Sequence, residues 1–441
     1  MKKLLVLSLA LAMVVAFTLP ASALESVFGG YWRTRAFTNE NFQGNDDVQV
    51  NGNDDNGLTR VDTRTRLYYT AILNDNLKLV NKFEMDAVWG TGGNQYGDLG
   101  ADGVAVEVKE SFVDTNIGPV RAKIGVQDIV LARGFINADE FAGLTVSFKA
   151  GDAVIPITWM KINEGGTNLN ANDADALALY PVFKLGEAFT LNPFVIYAYT
   201  KGGEAAARGG TGQISTYGGN GVPLTEPNDG AGIYWIGANV DAKLGSAALW
   251  FTGVYLGGEL KTDTAGLDNA DVKAYLVAGG ASLPVGPVEL HGQAFYASGD
   301  DDANDGDLEA FFGIGGGGVG WAYYWSEIMG LGTFDAQFSS GSPNADVSNI
   351  WAANIGASIK PTEKLKLTGD IWYASLVEDS ITTGEKKLGT EVDLAADYQL
   401  VEGLNLRVVG AYLFADDATA ATAAGNEDDP YEVGAQLSLS F

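Results

Sequence analysis

The sequence predicts an all-β fold, a transmembrane antiparallel barrel of about eighteen strands, with sixteen as the other count the pattern allows. Three observations predict it: a two-residue alternation of apolar and polar side chains, a succession of short and long connections, and a last segment that ends on an aromatic residue. Composition narrows the function. The 441 residues carry 27 Lys+Arg against 56 Asp+Glu, a formal net charge of −29, which argues against a nucleic-acid partner. Cysteine is absent and His291 is the one histidine, so disulfides, thiol chemistry, Cys/His metal sites and histidine triads have no residues to use. No enzyme activity, cofactor or metal site is expected.

Residues 1–23 read as a secretory signal, with Lys2 and Lys3, an apolar run from Leu4 to Phe17, and Ala21-Ser22-Ala23 as cleavage site. Residues 24–441 are then expected to form one barrel. From Leu58 to Leu73, Arg60, Asp62, Arg64, Arg66 and Tyr68 share one face while Val61, Thr63, Thr65, Leu67 and Tyr69 share the other. Asn74-Asp75-Asn76 reverses the chain, and the stretch from Leu77 to Trp89 alternates again, which makes a hairpin. Further short turns are read at Gly118-Pro119, Gly151-Asp152, Gly186-Glu187, Gly245-Ser246, Gly286-Pro287, Thr362-Glu363 and Glu402-Gly403. Between them lie longer connections, among them 39–57, 90–102, 127–140, 202–230, 299–346 and 416–428. Eight short and nine long connections give eighteen strands, with both ends on the periplasmic side. A soluble sandwich also alternates, but this many strands would make it unusually large, and closure removes the exposed edges.

The final segment, 431–441, is expected to pair with the first strand at about 26–38. Trp32, Trp89, Trp159, Trp235, Trp250, Trp351 and Trp372 fall at positions suited to interfacial girdles. Pro156, Pro181 and Pro193 lie inside expected strands, and Glu110 falls on an otherwise lipid-facing side; these resist the scheme.

Arginines cluster early. Arg33 and Arg35 share a face, as do Arg60, Arg64 and Arg66, and Lys78, Lys82, Arg121 and Lys123 extend the stripe. A charge on the lipid face costs about 2–4 kcal/mol near the midplane, so this basic ladder must face the lumen. Asp62, Glu84, Asp86 and Glu107 lie beside it. Two readings stay open, a strip that orders anionic groups in transit and simple charge balance. The acidic connections at 39–57, 299–309 and 416–429 would make the outer mouth negative and could share divalent ions with lipopolysaccharide. The run from Asp300 to Asp307 misses the calcium-loop spacing by one residue, so it reads as a solvated loop. In the longest connection, Phe311, Phe312, Trp321, Tyr323, Tyr324, Trp325 and Glu327 form an aromatic stretch expected to fold into the barrel as a constriction or plug; the other reading makes 321–325 a further strand. His291, beside Glu289 and Gln293, reads as a lumen side chain.

The signal, the alternating strands and the terminal Gly434, Leu437, Leu439 and Phe441 together resemble Gram-negative outer-membrane porins, and the terminal segment looks like their assembly signal. Gly125-Val126-Gln127, Leu131-Ala132-Arg133-Gly134-Phe135 and Phe141-Ala142-Gly143-Leu144 resemble the constriction-loop region of porins from anaerobic proteobacteria, which are often homotrimeric. The resemblance implies a loop at 127–140, carrying Asp128 and Arg133, that folds into the lumen. It implies passive diffusion of small hydrophilic solutes and ions, with a substrate-specific channel for sugars or organic acids as the alternative and a structural or adhesive barrel behind both. The implied partners are outer-membrane lipid and lipopolysaccharide, the barrel assembly machinery, the solutes themselves and two further copies of the chain.

Overall fold

The structure, a computed structural model, describes residues 24–41, 57–92, 96–100, 103, 106–164, 173–200, 230–261, 269–302, 306–314, 323–330, 332–334, 347–380, 383–419 and 428–441. The expected signal at 1–23 and Trp321 lie outside the described residues. The wall begins with β1 (Glu25–Glu40), β2 (Leu58–Asn74), β3 (Leu77–Val88), β4 (Glu107–Ile117), β5 (Val120–Leu131) and β6 (Asn137–Ala150). It continues through β7 (Ala153–Asn163), β8 (Ala174–Leu179), β9 (Phe189–Thr200), β10 (Gly230–Leu244), β11 (Ala247–Lys261) and β12 (Ala270–Val285). It ends with β13 (Val288–Ala297), β14 (Ile350–Thr362), β15 (Leu365–Leu376), β16 (Lys387–Val401), β17 (Leu404–Ala415) and β18 (Tyr431–Ser440). Two short pieces complete the sheet: Phe183–Lys184 prolongs β8 past a break, and Asp307–Leu308 lies parallel to the start of β12.

All eighteen wall strands run antiparallel to their neighbours and close into a ring. β1 pairs with β2 on one side and with β18 on the other, from Tyr31 opposite Ser440 to Glu40 opposite Tyr431. The backbones of Gly30 and Phe441 exchange hydrogen bonds of 2.9 and 3.2 Å at the end of this seam. Each short turn falls where the sequence puts it, so the count is eighteen and not sixteen.

Side chains partition by the period of two. On β11, Leu249, Phe251 and Tyr255 point outward while Trp250, Thr252, Val254 and Leu256 point inward. The outward face is greasy around the ring, with Ile355 at 72% exposure in the isolated chain, as lipid contact requires. The inward face has two characters. Along β1–β5 it carries charge; along β7–β15 it carries Met160, Ile196, Trp235, Leu256, Leu276 and Phe295, all buried.

Two inward segments bury them. β4 stops pairing with β5 at Val126 and β7 stops pairing with β6 at Ala142, yet β5 and β6 stay paired to Leu131 opposite Asn137. Residues 127–141 therefore form a two-stranded tongue paired only with itself. Gly125 marks its departure: φ is 131°, and a Cβ there would lie 2.3 Å from the Ser111 carbonyl oxygen. The expected loop at 127–140 is thus mostly strand, because backbone groups leaving the wall pair with each other rather than go unsatisfied. The second inward segment is made of the described parts of 308–334.

Several expectations change. Trp235, Trp250 and Trp372 face inward, not into an interfacial girdle, whereas Trp32, Trp89, Trp159 and Trp351 face outward. Glu110 faces the lumen opposite Lys82, because a register shift between Lys82 and Phe83 absorbs Lys109 as a bulge. Pro181 falls in the break of β8, where the Asn192 side-chain amide donates to the carbonyls of Tyr180 and Pro181 at 3.0 and 2.9 Å. Pro156 and Pro193 stay in β7 and β9, opposite Ser147 and Ala238.

Candidate functional site

The inward register of β1–β5 brings the expected ladder together. Arg33 stands opposite Arg64, Arg35 opposite Asp62, and Arg66 opposite Tyr31 and Glu84. Most of its bases hold acids. The Arg35 guanidinium donates twice to Asp62 at 2.9 Å, Arg64 donates to Asp86 at 2.8 and 2.5 Å and lies 3.3 Å from Glu84, and Arg121 donates twice to Asp114 at 2.8 and 2.7 Å. Arg66 pairs with Glu84 and Lys82 with Glu110, while Arg60 lies 3.8 Å from Asp62. Lys78 faces Asp114 in register, and the Lys123 ammonium sits 4.9 Å above the Phe112 ring. Glu107 stands exposed opposite Glu84.

The ladder is not uniform. Arg35 is 4% exposed and also donates to the Thr333 carbonyl at 3.1 Å, so it docks the second inward segment instead of lining open water. Lys109, Asp114 and Glu140 were missed from sequence, and Glu110 reads there as lipid-facing. Lys109 and Glu140, 2.8 Å apart, tie the wall to the base of the tongue. The signal was present in the sequence as an odd residue that breaks the alternation between Val108 and Glu110.

The tongue crosses to the far wall. Ala132 and Arg133 turn its tip with φ of 49° and 60°. Arg133 then donates to the Val240 carbonyl at 3.2 Å, Asp241 at 2.8 Å and Thr252 at 3.1 Å, and its guanidinium lies 5.2 Å over the Trp250 ring. Asp128 stays exposed on the tongue, opposite Glu140.

The second segment follows the inner wall from β10 round to β1. Phe311 is buried, and the Phe312 carbonyl accepts from the Trp235 indole at 2.9 Å. Ile314 N–H bonds the Ile136 carbonyl at 3.0 Å, joining the segment to the tongue. Tyr323 stacks on Phe135 at 3.8 Å between centroids and donates to Gln293 at 2.5 Å; burial pushes its phenol pKa up, so it remains a donor. Trp325 packs edge-on against Phe295 and Trp372 at 5.3 and 5.2 Å. Glu327 accepts from Thr333 N–H at 2.5 Å and lies 3.3 Å from Arg407. Phe334 stacks on Phe37 at 4.8 Å. Residues 323–325 are not strand, so no further strand forms at the described part of 321–325.

Below these segments lies a cavity of about 590 Å³, lined among others by Asp241, His291, Tyr324, Asp370, Asp393 and Arg407. His291 gains a partner that sequence did not show: its Nε2 is 2.8 Å from Asp370, which also accepts from the Asn354 amide at 2.6 Å. Among the described residues no cluster of three carboxylates or imidazoles is set to hold a metal ion.

No protein-family profile and no curated protein matches the chain. Solved structures do. The barrel is similar to Pseudomonas aeruginosa OccK8 (OprE), with a TM-score of 0.57 at 10% identity over 95% of this chain and 98% of that one. It is similar to OpdK of the same organism, solved with vanillate, at a TM-score of 0.56 and 10% identity over 95% and 98%. Acinetobacter baumannii OccAB2 gives 0.55 at 12% identity over 94% and 98%. The fold is that of a Gram-negative outer-membrane porin. At such identity the likeness speaks for the porin barrel, and the residues inside it rest on their own geometry.

Proposed function

We propose that the chain is an outer-membrane porin that lets small hydrophilic solutes and ions diffuse passively between the charged β1–β5 arc and the two inward segments. The observation that carries the reading is the ladder: partly exposed Arg60, Arg64, Arg66, Lys82 and Arg121 side chains on the inner face of a closed barrel need water beside them. Nine bases on that arc, Arg33, Arg35, Arg60, Arg64, Arg66, Lys78, Lys82, Arg121 and Lys123, outnumber its facing acids Asp62, Glu84, Asp86, Glu107, Glu110 and Asp114. Charge balance therefore goes far, and an excess of base is left to favour anions. Charges inside a narrow path act at short range, whereas loop charges more than about 8 Å away are damped at physiological salt.

The reading includes export on the 1–23 signal, insertion by the assembly machinery through the terminal Leu437, Leu439 and Phe441, lipopolysaccharide around the outer rim, and a homotrimer as the assembled state. It assigns no catalysis. The inward segments favour a second, narrower reading, a substrate-specific channel for organic acids or sugars, because they fill much of one arc and leave less free width. OpdK was solved with vanillate, which makes that aromatic carboxylate a sensible probe. The test is single-channel recording in planar bilayers. A general porin conducts without saturating block, a specific channel is blocked by vanillate or a sugar in a concentration-dependent way, and a barrel that passes no current overturns both readings.

A further inference from the structure

Glu391 belongs neither to the ladder nor to the lining of the cavity. It stands on the inner face of β16, between Trp372 of β15 and Leu413 of β17, and is 0% exposed. Among the described residues it makes no ion pair with Lys, Arg or His. A buried carboxylate with no cation is strongly disfavoured unless donors surround it. Here three converge: Ile328 N–H at 2.7 Å on one oxygen, and Met329 N–H at 2.9 Å and the Ser326 hydroxyl at 3.0 Å on the other. Two successive backbone N–H groups aimed at one carboxylate make the kind of nest that elsewhere binds a free anion. In this barrel the wall supplies the anion.

The turn also bonds within itself. Gly332 N–H donates to the Ser326 carbonyl at 2.8 Å and Trp325 N–H to the Gly330 carbonyl at 3.4 Å. A longer backbone bond to the wall runs from Glu327 N–H to Asp393 at 3.4 Å. Charge-assisted bonds of the Glu391 kind are the strong ones, so this side chain is a principal polar hold of the wall on the turn, beside the Arg407–Glu327 pair and the packing of Trp325.

We propose that Glu391 is a positioning residue of the channel, whose carboxylate binds the 326–329 turn to the wall and so keeps the second inward segment out of the solute path. The proposal rests on the channel reading above. The chain has no cysteine, so a single introduced thiol reports cleanly. Met329→Cys places one at a site 0% exposed, and Leu131→Cys places a separate reporter on the tongue, 2% exposed. In liposomes a charged methanethiosulfonate should modify both slowly. Adding Glu391→Gln turns an N–H group towards the same donors, and modification at position 329 should accelerate at least about tenfold, the effect of losing one to two net hydrogen bonds, while position 131 does not change. In bilayers the Glu391→Gln barrel should show brief current blockades that the parent lacks.

An unchanged rate at position 329, or equal acceleration at both positions, overturns the assignment. So does a quiet current trace beside a reactive thiol at 329. Should Glu391→Gln fail to fold, Ser326→Ala removes one of the three bonds and should give a smaller acceleration in the same direction; no acceleration then overturns the assignment. A parent barrel that carries no current defeats the channel reading alone, and the thiol rates still decide on Glu391.

Discussion

Along β1–β5 the inward positions carry Arg, Lys, Asp and Glu, whereas along β7–β15 the equivalent positions carry Met160, Ile196, Trp235, Leu256, Leu276 and Phe295. Both arcs belong to one ring and share one strand geometry. What differs is the neighbour: mostly the open lumen on the first arc, where Arg35 and Phe37 meet the 308–334 segment, and the tongue and that segment on the second. The inward face of a barrel strand thus has no polarity of its own and takes that of whatever it touches. Where the inward segments cover them, strands of the second arc are apolar on both faces, like strands sandwiched between protein layers, whereas His291 and Asp370 of the same arc face the cavity.

The largest expected effect comes from writing the rule of one arc onto the other. Leu256→Asp puts a carboxylate at a fully buried inward site and should cost about 3 kcal/mol or more. It should release the inward segments to protease, whereas Asp86→Leu on the charged arc should leave them resistant; equal digestion of the two would erase the distinction between arcs. Next comes Arg133→Ala, which removes the bonds to Val240, Asp241 and Thr252. At about 1.5–3 kcal/mol for each bond involving the charge, the tip should come loose, and the single-channel conductance should rise. An unaltered conductance would mean that packing of Phe135 and Ile136 holds the tongue without its latch.

A smaller effect is expected from Arg60, Arg64 and Arg66 changed together to Ala. The reversal potential under a salt gradient should move towards cation selectivity, by roughly a twofold change in permeability ratio. The barrel should still fold, since inward changes remove no lipid contact. A folded triple variant with the parent's reversal potential would reduce the ladder to charge balance. The smallest change is Asp86→Asn, which removes one of the two acids beside Arg64 and leaves Glu84 in place. Its shift should run towards anions and be weaker, because a half-exposed pair is well screened.

The wall was legible in the sequence because its pattern is local. Every short turn and the closing pair of strands follow from alternation and turn residues alone. Alternation groups residues by face but does not say which face meets lipid, and so Trp235, Trp250 and Trp372 were placed on the wrong side. The tongue was expected from the resemblance to porins and misjudged in its form, since Asp128 and Arg133 read as loop while the ladder from Gln127 to Leu131 continues. Glu110 needed the bulge at Lys109, which only pairing reveals. Gly434, taken as part of an assembly signal, has a packing reason too: a Cβ there would lie 2.5 Å from atoms of Phe37 and Phe334. Glu391 and Asp393 do share a face in the sequence, opposite Val392 and Leu394, but their partners on the 326–329 turn lie more than sixty residues away.

The seam between β1 and β18 sets a condition on biogenesis. Tyr31 pairs with Ser440, so no partial chain shorter than that span can close the ring. Loop closure over such a separation is slow, and until it happens β1 offers an unpaired edge beside a greasy outer face, a combination prone to aggregation in water. The polypeptide must therefore be kept apart from its own kind until β18 reaches β1, and that single pairing is what ends its vulnerability.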